Sequence, residues 1–407
     1  MVLVSVFNYL VDPYQIYNTP AVAGFNNVKS DTWRVYKTVF LARQPMDVAI
    51  LGTSRAGSLR PDHSVFSNKK AVNLSIPGQP YVETKMLIDL LDPQKTHQII
   101  FGMDFFGANT FMPLPTDFTT ENYSEFRKYP LLASISTVRD SYKTVTLSLD
   151  TRHPSYIDEF FSKWKTETKS KPSEKNVPKN NGSQQIVPIY NQNHHNFIES
   201  EKAYLSGVYL PDPRCVFEFE HDNYTDSPLK NFQAILVRAY REAIDLRLFI
   251  SPSHARQWEV IAAVGLRDKW EEWKRRLVRM NETEAAKAGK PPFPIWDFSG
   301  YNSITTEALP ALHGGQTIMK NYIDSSHYTP YVGDLVLDRL FDSHPPGLKV
   351  PSDFGVLITS KNLDTHLAHI RAEREEYQKT HPDDIAEIKR LAEEVAKKKF
   401  CNKKSGS

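Results

Sequence analysis

The sequence predicts an α/β protein with a mostly parallel five-stranded sheet, one large insertion and a charged, helical C-terminal tail. Short apolar runs of strand length recur at 47–51, 71–74, 98–101, 247–250 and 293–298. Segments with apolar residues at helical spacing separate them, and strands alternating with helices pack as parallel sheets. The alternation stops between about 105 and 226 and then resumes, which marks that stretch as an insertion.

The first run ends in Gly52-Thr53-Ser54, and the second in Asn73-Leu74. Residues 80–91 place Val82, Met86, Leu87 and Leu90 at helical spacing before the third strand. The insertion carries the aromatic pairs Phe105-Phe106 and Phe160-Phe161 and reads as a cap over the sheet. Its stretch 163–181 is rich in Lys, Ser, Pro, Asn and Glu, buries little apolar surface and is expected to form a mobile loop. Beyond it, 229–246 reads as an amphipathic helix, 253–266 and 267–284 as further helices, and 330–341 as a core helix facing inward through Val332, Leu335, Val336, Leu337 and Leu340.

Three regions result: an N-terminal segment 1–46, a domain 47–345 holding the insertion, and an extension 346–407. In the extension Pro382 opens a helix with the apolar stripe Ile385, Ile388, Leu391 and Val395; lysines 397–399 complement its dipole. This helix either packs on the domain with a solvated outer face or binds a partner. The opening stretch 1–11 is apolar, but a spanning helix needs about 20 residues. It lacks the basic start and cleavage site of a complete signal peptide. It is therefore the first strand or helix of the domain, or the last turns of a membrane anchor that begins upstream.

Of 407 residues, 40% are hydrophobic and 24% charged, as in an ordinary globular chain. The 50 basic residues are nearly matched by 48 acidic ones, and no basic stripe with interleaved aromatics appears, which argues against a nucleic-acid partner. Two cysteines, Cys215 and Cys401, make neither a disulfide framework nor a Cys-rich zinc site. Cys401 lies in a lysine-rich tail and is expected to have no fixed partner. His194 and His195 come without further ligands, so neither a metal nor another cofactor is expected.

The chemistry gathers at two places. Ser54 follows the first strand, and parallel sheets present ligands at the carboxyl ends of their strands. Asp324-Ser325-Ser326-His327 precedes a core helix. A nucleophilic serine needs a base, and the base needs a group that fixes its tautomer; His327 and Asp324 supply both from one loop. The blander reading makes Ser54 a helix cap and His327 a surface residue.

Taken together these segments resemble the SGNH (GDSL-type) hydrolases. Gly52-Thr53-Ser54 stands for that family's G-D-S block, Asn73 through Gly78 for its second block, and Asp324 through His327 for its D-x-x-H block, with Gly333 downstream. The resemblance implies a flavodoxin-like three-layer fold, with Ser54, Asp324 and His327 as catalytic triad. It implies an oxyanion hole from the backbone amides of Ser54 and Gly78. Two departures stand out: Thr53 replaces the aspartate of G-D-S, and Asp104 occupies the place of the asparagine that completes the hole. A carboxylate is a poor oxyanion donor; Asn109 is another candidate for that place. The departures, and Phe7 through Pro13, are similar to extracytoplasmic, membrane-anchored SGNH-like proteins found beside bacterial exopolysaccharide and cell-wall machinery.

The resemblance implies an esterase or O-acyltransferase acting on an acylated carbohydrate, in a periplasmic or otherwise extracytoplasmic, membrane-associated setting. The alternative is a non-catalytic member of the fold that binds glycan or serves an assembly. Arg55 beside the nucleophile either contacts an anionic substrate or forms a salt bridge within the fold, for which Asp104 is a candidate partner. His254, after the fourth strand, is expected near the cleft mouth, where it either contacts substrate or occupies the first turn of a helix. Asp297, ending the fifth, either orients the base loop or plays the structural part favoured here.

Overall fold

The computed structural model describes residues 1–29, 33–149, 193–222, 226–310, 319–399 and 401. The stretch 163–181, read above as a mobile loop, lies outside the described residues. The chain runs α1 (Val2–Val11), β1 (Val48–Leu51), β2 (Ala71–Asn73), α2 (Tyr81–Leu90), β3 (Gln98–Met103), α3 (Ile135–Leu149), α4 (Asn193–Ala203), α5 (Pro228–Arg241), β4 (Asp245–Ile250), α6 (Ala255–Ala263), α7 (Arg267–Ala288), β5 (Ile295–Asp297), α8 (Pro330–Phe341), β6 (Val356–Leu357), α9 (Leu363–Thr380) and α10 (Pro382–Lys398), with short helical turns between.

It is an α/β protein with a six-stranded, mostly parallel sheet in the order β2-β1-β3-β4-β5-β6. The first five strands are parallel, and β6 pairs antiparallel to β5. The sequence reading therefore missed one strand. β6 has two residues, too few to show an alternating pattern, and it lies in the stretch assigned to the extension.

Successive residues of a strand point to opposite faces. On one face Val48, Ile50, Ile100 and Phe249 pack with Val332, Leu335, Val336 and Leu340 of α8. On the other, the Phe101 ring meets Tyr81 of α2 at 5.7 Å, and Tyr81 meets Phe232 of α5 at 6.4 Å. All four residues of β1 and all six of β3 are buried, as expected of strands covered on both sides.

The chain divides into two compact units. One holds Met1–Gln44 with Asp117–Val187, of which 150–187 lies outside the described residues; the other holds Pro45–Thr116 with Pro188–Ser407. The insertion is thus shared between them. In the first unit, α1 is tied to its neighbours by Asn8, whose Nδ2 donates to Leu132 O (2.8 Å) and whose Oδ1 accepts from Ser141 (3.0 Å). Asp12, in the left-handed region, ends the helix and accepts from the amides of Ile16 and Tyr17. Leu3 and Leu10 of α1 are exposed, and among the described residues no helix is long and apolar enough to cross a membrane.

In the second unit the tail is part of the body. Ile388 and Leu391 of α10 are buried, and α10 packs on α6 and α4. Arg256 of α6, fully buried, forks onto Glu201 of α4 (2.6 and 2.8 Å) and reaches Asp384 (2.8 Å) and Glu387 (2.7 Å) of α10. Cys401, expected to be free, forms a disulfide with Cys215, 186 residues away in sequence. Docking of α10 on α4 brings them together, a proximity that spacing along the chain does not show. Such bonds belong mainly to oxidising compartments, which hints at an extracytoplasmic protein.

A cross-link closing so long a loop restricts the unfolded chain, an effect of roughly 2–5 kcal/mol. The melting temperature should therefore fall in reductant and in Cys401→Ser, and reductant should have no further effect on that variant. Equal melting temperatures with and without reductant would show that the bond contributes nothing.

Candidate active site

Ser54, Asp104 and Ser251–His254 follow the carboxyl ends of β1, β3 and β4, while Asp297 ends β5. Gly52 makes the first turn feasible. Its φ is +137°, and a Cβ there would lie 2.8 Å from Gly102 O on β3. Only glycine tolerates both the backbone angle and that approach. Thr53 then caps the short turn at Ser54–Ser58, accepting from the Arg55 amide.

The base loop is a tight hairpin before α8. Tyr322 and Tyr328 bridge antiparallel, and the Ile323 amide donates to His327 O (2.9 Å). Asp324 Oδ1 accepts from the amides of Ser326 (2.7 Å) and His327 (2.9 Å), so the carboxylate holds its own turn. Its other oxygen is left for the imidazole: His327 Nδ1 lies 2.8 Å from Asp324 Oδ2. On the far side of the ring, Nε2 lies 2.8 Å from Ser54 Oγ. Ser54, His327 and Asp324 are therefore hydrogen-bonded in series. This arrangement suits a neutral imidazole that donates from Nδ1 and accepts the serine proton at Nε2.

Burial disfavours a charged His327, but the charge and hydrogen bond of Asp324 outweigh it and raise the imidazole pKa above its ordinary value. Burial likewise pushes Asp324 up, yet His327 and the two amides hold it below the usual carboxylate range. His327 keeps 34% of its side-chain surface exposed, so the Ser54–His327 edge meets solvent.

Behind that edge lies a buried polar array. Arg55 turns inward, which removes it from contact with a solvent-borne substrate. Its Nη1 donates to Asp104 Oδ1 (2.8 Å) and its Nε to Ser326 Oγ (3.0 Å). The guanidinium lies between the Phe106 and Tyr204 rings, 5.3 Å from each centroid. Asp104 Oδ2 accepts from Thr53 Oγ1 (2.5 Å), so both carboxylate oxygens have partners. Tyr204 shares a hydrogen bond with Ser326 Oγ (2.7 Å), and Ser200 donates to Asp324 Oδ1 (3.3 Å).

Sequence reasoning missed Thr53, Ser326, Tyr204 and Ser200 as supports. Thr53 and Ser326 sit inside the quoted motifs; Ser200 and Tyr204 lie in the insertion and carry no sequence signal of their role.

The remaining candidates have the following surroundings. Gly78 has φ +62°, in the turn after Asn73, and faces Pro115. Asn109 is spent on its loop: Oδ1 accepts from the amides of Phe111 and Glu218, and Nδ2 donates to Val216 O. Asp297 is fully buried against Lys274 (2.6 Å) and His366 (2.9 Å), a structural role. His194 bonds to Glu387 and to Pro310 O, each at 3.0 Å.

His254 does not reach a cleft. It is fully buried, with ring contacts to Phe197 (4.9 Å) and Tyr322 (5.0 Å). Its Nδ1 accepts from the Arg256 amide and its Nε2 donates to Glu307 O, which caps α6 and fixes the neutral form. Burial pushes its pKa down to about 3. Unfolded histidine titrates near 6.5, so folding is penalised as pH drops from about 6.5 towards 3, by up to about 1.4 kcal/mol per pH unit. His254→Asn keeps a capping acceptor; it should melt lower than wild type at pH 8 and lose stability less steeply between pH 6.5 and 4. Parallel stability curves would show that His254 does not carry that acid sensitivity.

Compared with protein families, with curated proteins and with solved structures, the chain matches none.

Proposed function

We propose that this protein is a serine esterase or O-acyltransferase of the SGNH type that acts on an acylated carbohydrate through an acyl-enzyme on Ser54. The observation that carries the reading is the unbroken series Ser54 Oγ–His327 Nε2 and His327 Nδ1–Asp324 Oδ2, each link 2.8 Å. The order of the first five strands, 2-1-3-4-5, supports a flavodoxin-like three-layer frame with the site at the strand ends. The disulfide supports an extracytoplasmic, periplasmic setting.

In this reading Ser54 Oγ attacks the ester carbonyl carbon while His327 Nε2 takes the serine proton. Asp324 holds the ring in the required tautomer and stabilises the imidazolium. The tetrahedral oxyanion collapses, the C–O bond of the leaving alcohol breaks, and His327 returns its proton to that oxygen. Water or a sugar hydroxyl then attacks the acyl-enzyme and gives its proton to His327, which passes it to Ser54 Oγ as the acyl–Oγ bond breaks. The backbone amides of Ser54 and Gly78 are assigned to the oxyanion. The non-catalytic alternative rested on a carboxylate at Asp104 opposing that charge; pairing with Arg55 and Thr53 weakens the objection.

An alkyl fluorophosphonate should label Ser54 and no other residue. Ser54→Ala and His327→Ala should abolish labelling and hydrolysis of 4-nitrophenyl acetate while leaving the melting temperature close to wild type. Because the free base is neutral His327 with a raised pKa, kcat/KM should fall as pH drops, with a midpoint above 6.5. Full labelling of the Ser54→Ala variant would refute the assignment.

A further inference from the structure

We propose that Asp104 and Arg55 are positioning residues which join the nucleophile turn to the base loop, and that Asp104 has exchanged the oxyanion role of its place in the motif for this one. The inference rests on the esterase reading above. Three segments meet at the Arg55 guanidinium. Arg55 itself directly follows Ser54; Asp104 follows β3; Ser326 lies between Asp324 and His327. Nη1 holds Asp104 and Nε holds Ser326, in the fixed fork geometry that lysine lacks. Thr53, on the other side of Ser54, donates to the remaining Asp104 oxygen. Ser54 is thus flanked by two residues that grip one carboxylate.

The array is buried: the side chains of Arg55 and Asp104 are 3% and 1% exposed. Phe106 and Tyr204 close over the guanidinium, and the Tyr204 hydroxyl meets the same Ser326 oxygen that Arg55 holds. Ser58 adds a second tie between the segments, donating to Tyr328 O at 2.7 Å. A base and a nucleophile brought from 273 residues apart need such a link if their 2.8 Å hydrogen bond is to be standing before substrate arrives. The pair also acts by charge. Arg55 disfavours protonated His327, whereas Asp104 favours it.

Two full-length variants test this, with wild type alongside. Asp104→Asn leaves the guanidinium without its counter-charge. Ser326→Ala leaves the ion pair whole and removes the hydrogen bonds of Arg55 and Tyr204 to the base loop. Both should slow fluorophosphonate labelling of Ser54 and kcat for 4-nitrophenyl acetate by about 10²-fold, the effect of a small misplacement, with KM little changed. Asp104→Asn should also move the acid limb of kcat/KM to lower pH, because unopposed Arg55 disfavours imidazolium; a purely structural defect would not move it. Should Asp104→Asn not fold, Ser326→Ala decides alone. Faster turnover in Asp104→Asn, or labelling rates and pH profiles within twofold of wild type in the folded variants, overturns the inference. Wild type that labels normally beside unaffected variants sinks only this inference; wild type that never labels sinks the esterase reading with it.

Discussion

The buried ion pair of Arg55 and Asp104 is the interaction on which the site's architecture turns. Two charges withdrawn from water carry a desolvation penalty of several kcal/mol each, and attraction offsets it only where the remaining polar atoms also find partners. Here Arg55 Nη2 is left without a hydrogen-bond partner, and the other partners come from the segments that must be brought together: Thr53 from the turn after β1 and Ser326 from the loop before α8. Placing either segment differently would leave a buried charge short of a hydrogen bond. That penalty makes the pair a register device for the turn after β1 and the loop before α8, apart from any net stability it confers.

A second buried arginine does the same for the tail. Arg256 binds carboxylates from α4 and α10 at once, so removing α10 would leave Arg256 with Glu201 alone. Since α4 carries Ser200 and leads into Tyr204, the helix that α10 clamps is also the one that supports Asp324 and Ser326. The C-terminal extension, charged enough to look solvated, belongs to the packing that supports Ser326 and Asp324, and the Cys215–Cys401 bond closes that arrangement covalently.

What could be read from the sequence was local. The turn at Ser54 announces itself because Gly52 must adopt a backbone angle that other residues avoid. The Asp324–His327 spacing is legible because the carboxylate satisfies amides two and three residues ahead, a contact set within four residues. The core helix 330–341 matches α8 because its apolar face is long and periodic. The rest depended on contacts across the chain. His254 was rightly placed after β4, yet its ring turns inward between Phe197 and Tyr322, which the topology rule does not specify. Helix α9, with Leu363, Leu367, Ile370 and Tyr377 as its buried stripe, was hidden by the charges around it. The disulfide and Tyr204 come from segments whose positions only the folded chain determines.

Exposure divides the site along one line. The Ser54–His327 edge faces solvent, whereas Arg55 and Asp104 lie behind it, so a reactant approaches from one side and the charges behind remain weakly screened. In the proposed acyl transfer a proton would reach His327, and the new positive charge would form beside Asp324, already in hydrogen-bond contact. Arg55 opposes that charge and Asp104 offsets the opposition. A neutral amide in the place of Asp104 would offer an oxyanion donor but leave the guanidinium uncompensated next to the base. With arginine directly after the nucleophile, a carboxylate at 104 is the electrostatically consistent partner. The two departures from the motif that the sequence resembles are joined: Thr53, where that motif has aspartate, donates to Asp104, where it has asparagine.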